Sequence, residues 1–436
     1  MFTRLLFALL LAATLRGADG IVIRDVSVFD SNAGAMRAGE TVWIEGERIR
    51  AVGARVPAPR GVKIIDGRGK YLIPGLIDAH VHLVHVLDFA HVTGDEVLPL
   101  FLQAGVTSVR STGDAIAAEK LVARFAETHP DTAPRVFLAS PLIDGDPPFH
   151  RDIGYALTDP AAVPEFVADM KAWGVITLKL YVGTERPVGR RVIEEGHRAG
   201  MMVSGHLGKY TAQDAVADGI DCLEHIWWVF NFIIPPKTAR ADVDLDSQAA
   251  RDLIALIRRH NTFVDPTLAV FRNMILLADL PEYSDNADNA TVPERLRQNW
   301  RKYLDQQRKK VLTPETLDVR RREFRKYQEL TGMLYRASVT MLAGTDTAEP
   351  FCPPGLALHQ ELEMLVESGL TPAAALTAAT RNNARVLKME GSLGSIEAGK
   401  VADLVLLNAD PLADIRNTRK IAVVIKSGQV VKKGRV

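Results

Sequence analysis

LIPGLIDAHVHL, residues 72–83, is an apolar run that closes on two histidines. Side chains of a β-strand alternate between faces, so His80 and His82 point the same way. Two imidazoles at that spacing can chelate one metal ion. An isolated HxH pair arises easily by chance. Here four more metal-type residues follow in order, each at the end of its own apolar segment: Lys179 in ITLKLY, His206 in MVSGHL, His225 in CLEHI and Asp346 in MLAGTD. Six such residues at strand ends predict a metal-dependent hydrolase.

The segments around these residues alternate short apolar strands with helical stretches. Strands are predicted at 76–83, 106–112, 135–140, 175–181, 201–207, 221–226, 262–268 and 339–345, with helices between them such as 161–173, 187–199 and 211–218. Eight such units predict an α/β protein, a (β/α)8 TIM barrel over residues 71–393. The active site of such a barrel lies at the C-terminal ends of its strands, where the six residues fall. The two ends of the chain read differently. IVIRDVSVFD and TVWIEGERIRAVG near the start, and IAVVIKSGQVVKKG near the end, alternate apolar and polar residues between tight turns. A small β-sandwich domain built from 21–70 and 394–436 is therefore expected. Residues 292–338, rich in Arg and Lys, are expected as a pair of solvated helices on the outer ring.

Lys+Arg and Asp+Glu both number 53, which leaves no net charge to draw the chain toward nucleic acid or an anionic membrane. A small-molecule substrate is the expected partner, and a homo-oligomer is compatible with the composition. Arg4 followed by the apolar run Leu5–Leu15 is too short to span a bilayer and matches a secretory signal, expected over residues 1–18. A periplasmic or secreted location follows. No cysteine trails that run, so no lipid anchor is expected, and the two cysteines, Cys222 and Cys352, are too few for a disulfide framework.

PGLIDAHVHL at 74–83, LKLY at 178–181, SGH at 204–206, EH at 224–225 and GTD at 344–346 resemble the amidohydrolase superfamily, in its imidazolonepropionase-like and prolidase-like branch with a carboxylated lysine. GLTPAAALTAATRNNARVL followed by GSIEAGKVADLVLLNADPL matches that family's usual ending. The resemblance implies two divalent metal ions, expected to be Zn2+. His80 and His82 would bind the first ion and share it with Asp346, while His206 and His225 would bind the second. Lys179, as a carbamate, would bridge both. The residues themselves favour this chemistry, because Lys179 lies among Ile176, Leu178 and Leu180, where a lone ammonium is costly. Reaction with CO2 would make it an anion between cations. The implied reaction is attack of a metal-bridging hydroxide on a C–N amide bond, with Asp346 carrying the proton to the leaving amine.

Four residues are candidates for the substrate. Tyr210, on the loop after the fifth strand, could stabilise an oxyanion or only fill space there. Arg110, in SVRSTGD, could meet a substrate carboxylate or an internal acid. His150 ends SPLIDGDPPFH, and Trp227 follows His225 directly, with Trp228 and Phe230 beside it. That mixture predicts a small substrate with a free carboxylate and one bulky apolar side, a dipeptide or N-acyl amino acid. A cyclic amide, a deamination or a lactone is the alternative. A non-catalytic scaffold is disfavoured, since all six ligand residues are present.

Overall fold

The computed structural model describes residues 20–276, 287–309 and 313–433. The expected signal segment lies outside them. Two eight-stranded sheets organise the chain.

The first is mixed and draws on both ends of the sequence. Its strands run in the order Gln429–Lys433, Ile421–Lys426, Leu404–Leu407, Tyr71–Pro74, Gly20–Asp30, Ala35–Glu45 and Arg48–Gly53, with Lys63–Asp66 added in parallel to Gly20–Asp30. All eight belong to one hydrogen-bonded sheet, the domain expected from the two chain ends. Its own core gathers Ile23, Val42 and Ile44 from the N-terminal strands and Leu404, Leu406 and Ile425 from the C-terminal ones. Tyr71–Pro74, within the span expected for the barrel domain, pairs in this sheet, parallel to Gly20–Asp30 and antiparallel to Leu404–Leu407.

The second sheet is the barrel. Its parallel strands follow one another as Leu76–Val81, Val106–Ser111, Arg135–Asp144, Thr177–Leu180, Met202–Gly205, Cys222–Glu224 and Phe263–Asp265, with Gly154–Ala156 paired beside the third. The first, second, fourth and fifth are buried at every position, as strands covered on both faces must be. The eighth position is occupied without a regular strand. Bridges Val264↔Met341 and Val81↔Thr347 join it to both neighbours, and the Ala79 and Leu342 amides donate to Ala343 and Val264. Those bonds close the ring.

Helices between the strands end where their sequences dictate. Val163–Trp173 stops at Gly174, whose φ of 85° is the left-handed cap that glycine adopts without strain. Gln248–His260 starts on Ser247, whose side chain accepts from the Ala250 amide, and stops at left-handed Asn261. The charged segment forms two helices, Glu294–Lys309 and Pro314–Arg336, but they are not merely solvated. Leu296, Trp300 and Leu304 of the first sit in a core cluster with Leu87, Ala348 and Phe351. Spacing of four residues puts the three on one helical stripe. Trp300 thereby braces the chain two residues beyond Asp346.

Candidate metal centre and substrate cavity

The first, fourth, fifth, sixth and eighth positions of the barrel deliver these polar residues at or near their C-terminal ends. His80 and His82 close Leu76–Val81, Lys179 lies within Thr177–Leu180, and His206 follows Met202–Gly205. His225 follows Cys222–Glu224 with φ of 64°, and Asp346 has φ of 58°. All six line one cavity of about 500 Å³. The imidazoles form a row, with ring centroids 5.6 Å apart between His80 and His82, 4.5 Å between His80 and His225, and 4.8 Å between His225 and His206. Asp346 Oδ1 lies 3.2 Å from His82 Nε2 and 3.4 Å from His80 Nε2, and its Oδ2 lies 3.9 Å from His225 Nδ1.

Beneath this layer lies a second polar layer, of which the sequence singled out only Arg110. His80 Nδ1 is 3.0 Å from Glu224 Oε2, and Arg110 donates to the other oxygen of Glu224 at 2.7 Å. His82 Nδ1 faces Asp114 at 3.7 Å, and Asp114 accepts from the amides of Leu83, Val84 and His85. His225 Nδ1 is 2.8 Å from Thr267 Oγ1. Partners on the inner ring nitrogen hold an imidazole's tautomer and direction, which is how metal-binding histidines are oriented. Asp265 completes the layer. Its carboxyl is fully buried, has no hydrogen-bond partner among the described residues, and is pushed well above the carboxylate range by burial and by Glu224. A Cβ on Gly344 would stand 2.2 Å from Asp265 and 2.6 Å from the His80 side chain, so only glycine fits there.

Two groups of three ligand atoms lie within 4.8 Å of one another: His80, His82 and Asp346, and His80, Glu224 and Asp265. In the second group Glu224 is already bonded to Arg110 and His80, while Asp265 is not. Buried nitrogens on the cavity floor have no hydrogen-bond partner among the described residues, namely His80 Nε2, His206 Nε2 and Lys179 Nζ. Orphaned donors and acceptors are rare in protein interiors; two unpartnered imidazole nitrogens beside the Asp346 carboxylate fit divalent cations, and the Lys179 nitrogen would fit them only as a carbamate. Burial, followed by the charge of Lys179, holds His80 down at about 4, so its imidazole is neutral. Burial works the same way on His82, but Asp114 and Asp346 outweigh it and lift that ring to about 10. Burial, with Arg110 nearby, lowers the Lys179 ammonium. Burial alone would raise Asp346, yet His225, His80 and His82 hold it far below the usual carboxylate range.

Aromatic side chains wall the cavity. Trp228 stands 4.5 Å from the His206 ring, Tyr181 also 4.5 Å from it, and Trp227 and Phe271 stack at 6.2 Å. His150 lines the wall too, 5.1 Å from His85 and 5.7 Å from Tyr181.

Two of the expected substrate residues lie elsewhere. Arg110 is fully buried, with Nε on the Ala79 carbonyl at 2.6 Å and its terminal nitrogen on Glu224, so the internal acid claims it. Tyr210 is fully buried as well. Its hydroxyl donates to Asp218 at 2.9 Å, and its ring packs so close to Gly189 that a Cβ there would meet it at 2.4 Å. The tyrosine in the cavity is Tyr181, two residues beyond Lys179 and therefore on the same strand face. That parity was a usable signal. Glu349, also on the wall, carried none beyond its distance of three residues from Asp346.

The fold and the site together define a (β/α)8 barrel with a metal-ligand cluster at its mouth. The sequence profile of the Amidohydrolase family matches residues 71–431, and the chain belongs to that family. An adenine deaminase of Rubrobacter xylanophilus is 25% identical across 97% of this chain, which spans 59% of that relative's length. An imidazolonepropionase of Alkaliphilus metalliredigens is 22% identical over 91% of each chain. A solved Xaa-Pro dipeptidase with bound methionine in the active site shares the fold with a TM-score of 0.70 at 21% identity, over 95% of this chain and all of that one.

Proposed function

We propose that this protein is a two-metal hydrolase that cleaves a C–N amide bond in a small substrate with a bulky apolar group beside that bond. The observation that carries this reading is the convergence of His80, His82, Lys179, His206, His225 and Asp346 on the floor of one aromatic-walled cavity. His80, His82 and Asp346 would hold one ion, and His206 and His225 the other. Lys179, as a carbamate, would join them, which gives its buried and unpartnered nitrogen a role. Bound divalent ions supply Lewis acidity and a nucleophile at neutral pH.

The chain's own residues do the rest. Asp346 is ionised, and it takes a proton from the attacking water and returns it to the leaving amine. Glu224, Asp114 and Thr267 keep three imidazoles aimed at the floor. Trp227, Trp228 and Phe271 hold the apolar part of the substrate and exclude water from the bond. Dipeptides and N-acyl amino acids have the required bond, and the Xaa-Pro dipeptidase of like fold makes them one arm of the test beside uncharged arylalkyl amides. Export belongs to the proposal as well, on the strength of Arg4 and the run Leu5–Leu15. Among the described residues no helix is long and apolar enough to cross a membrane.

Metal analysis of the purified protein, combined with an amide panel read by release of free amine, tests the central reading. Two ions per chain and turnover of at least one arylalkyl amide are expected. Protein that retains both ions and cleaves no amide would overturn it.

A further inference from the structure

The floor of the cavity is rich in charge, but among the described residues its walls hold no Lys or Arg. Among the described residues lining it, Lys179 is the only Lys or Arg, and it stands on the floor with the ligand set. Arg110 is sealed below by Glu224. Arg240 lies over the Trp227 ring, 4.8 Å from its centre, and is engaged by Asn231 and Glu323 rather than lining the cavity. Lys209 lies 3.4 Å from Glu185, on an exposed side chain. His85 is held by Asp152 at 2.7 Å. His150 is pressed toward its neutral form by burial and then by His85.

Among the described residues, a substrate above the floor therefore faces aromatic and aliphatic surface, His85 and His150, and one acid. Glu349 lines the cavity and makes no ion pair among the described residues. Its backbone amide donates to the Asp346 carbonyl at 2.9 Å, and a carboxyl offers a substrate no positive charge. A substrate carboxylate seated against these walls would shed its water, find no cation and stand near a second acid. An unpaired buried carboxylate is among the costliest groups a protein can enclose.

We propose that this site selects amides whose portion beyond the scissile bond is uncharged and apolar, preferably aromatic, with Glu349 as the specificity residue that turns carboxylates away. This rests on the reading of the site as an amide hydrolase, and it reverses the sequence expectation of a carboxylate-bearing substrate. Trp227, Trp228, Phe271 and Tyr181 supply broad apolar faces for a ring, and Met274 adjusts to its edge.

The test compares N-acetyl-2-phenylethylamine with N-acetyl-L-phenylalanine, which differ only by the carboxylate. Both are offered to the metal-loaded full chain, with acetate release giving kcat/KM and quenching of tryptophan fluorescence giving Kd. The neutral compound should lead by at least roughly tenfold in both readouts, the scale of one lost charge-assisted contact. Glu349→Lys should narrow or invert that ratio, and if that variant fails to fold the native pair still decides. Should neither amide be cleaved while the neutral one binds at least about tenfold tighter, the amide-hydrolase reading falls and this assignment of substrate class stands. Equal binding, tighter binding of the carboxylate, or no binding of the neutral compound overturns it.

Discussion

Arg110→Met, which keeps most of the side-chain volume and removes the charge, should destabilise the protein without changing its substrate preference. Both partners of the Arg110–Glu224 pair are fully buried, and the guanidinium also donates to the Ala79 carbonyl at 2.6 Å. Removing it leaves Glu224 as a buried carboxylate with His80 as its remaining hydrogen-bond partner. Breaking a buried pair from one side costs about 3–5 kcal/mol, because a charge is left uncompensated. With an unfolding entropy of about 2 cal/mol/K per residue, a chain of 436 residues should lose about 3–6 °C in Tm. His80 would also lose its orientation, so metal affinity should drop about 10–100-fold. Thermal melts at fixed metal concentration check the first number and metal titration the second. Glu224→Gln should cost about 1–3 kcal/mol less on the Arg110→Met background than alone, since the two side chains act as a unit. An unchanged Tm together with a selective loss of activity on carboxylate-bearing amides would refute this reasoning, for it would mean that Arg110 reaches the substrate after all.

Lys179→Ala should abolish turnover and reduce bound metal below two ions per chain, and propionate with added metal should restore part of the activity. A fully active protein with one tight ion and a free Lys179 ammonium would sink the carbamate. His359 sits in a helix packed under the barrel, with its ring nitrogens 2.8 Å from Thr418 Oγ1 and 2.9 Å from the Ala104 carbonyl. Burial, with Arg419 adding to it, holds its imidazole down at about 4, against about 6.5 when unfolded. The unfolded chain therefore takes up this proton first. The contribution of His359 is complete above pH 6.5 and declines as pH falls toward 4, by up to about 3 kcal/mol. His359→Gln should flatten the stability profile in that window by up to about 1.4 kcal/mol per pH unit, and parallel profiles for the two proteins would contradict it. Protein recovered from an extracytoplasmic fraction should have lost roughly its first 13–20 residues on N-terminal sequencing, and an intact Met1 on cytosolic protein would remove the export proposal.

Strand parity and strand ends made the ligand set legible, because a residue that must reach the barrel mouth has to stand at the end of an apolar run. Depth along the barrel leaves no such mark. Val106, Ser108 and Arg110 share a face of one strand, yet only the register Asp78↔Val109, with the Ala79 carbonyl bonded to Arg110, puts the guanidinium below His80 rather than above it. Tyr210 drew notice through its place four residues after His206, whereas Tyr181, two residues past Lys179, did not. The one on the loop turned inward to Asp218, and the one that continues the strand of Lys179 faces the site. Glu224 and His225 are neighbours, and simple alternation would send them to opposite faces. The left-handed φ of His225 breaks the alternation and lets the acid support His80 while the imidazole joins the cluster. The apolar stripe Leu296, Trp300, Leu304 was readable at helical spacing, although composition hid it behind the arginines. The same distinction bears on function. A metal ligand is recognised by where its strand stops, whereas a charge available to substrate is recognised only by which neighbour has already claimed it. Glu224 claims Arg110, and so the carboxylate anchor written into the sequence reading becomes part of the support beneath the metal centre.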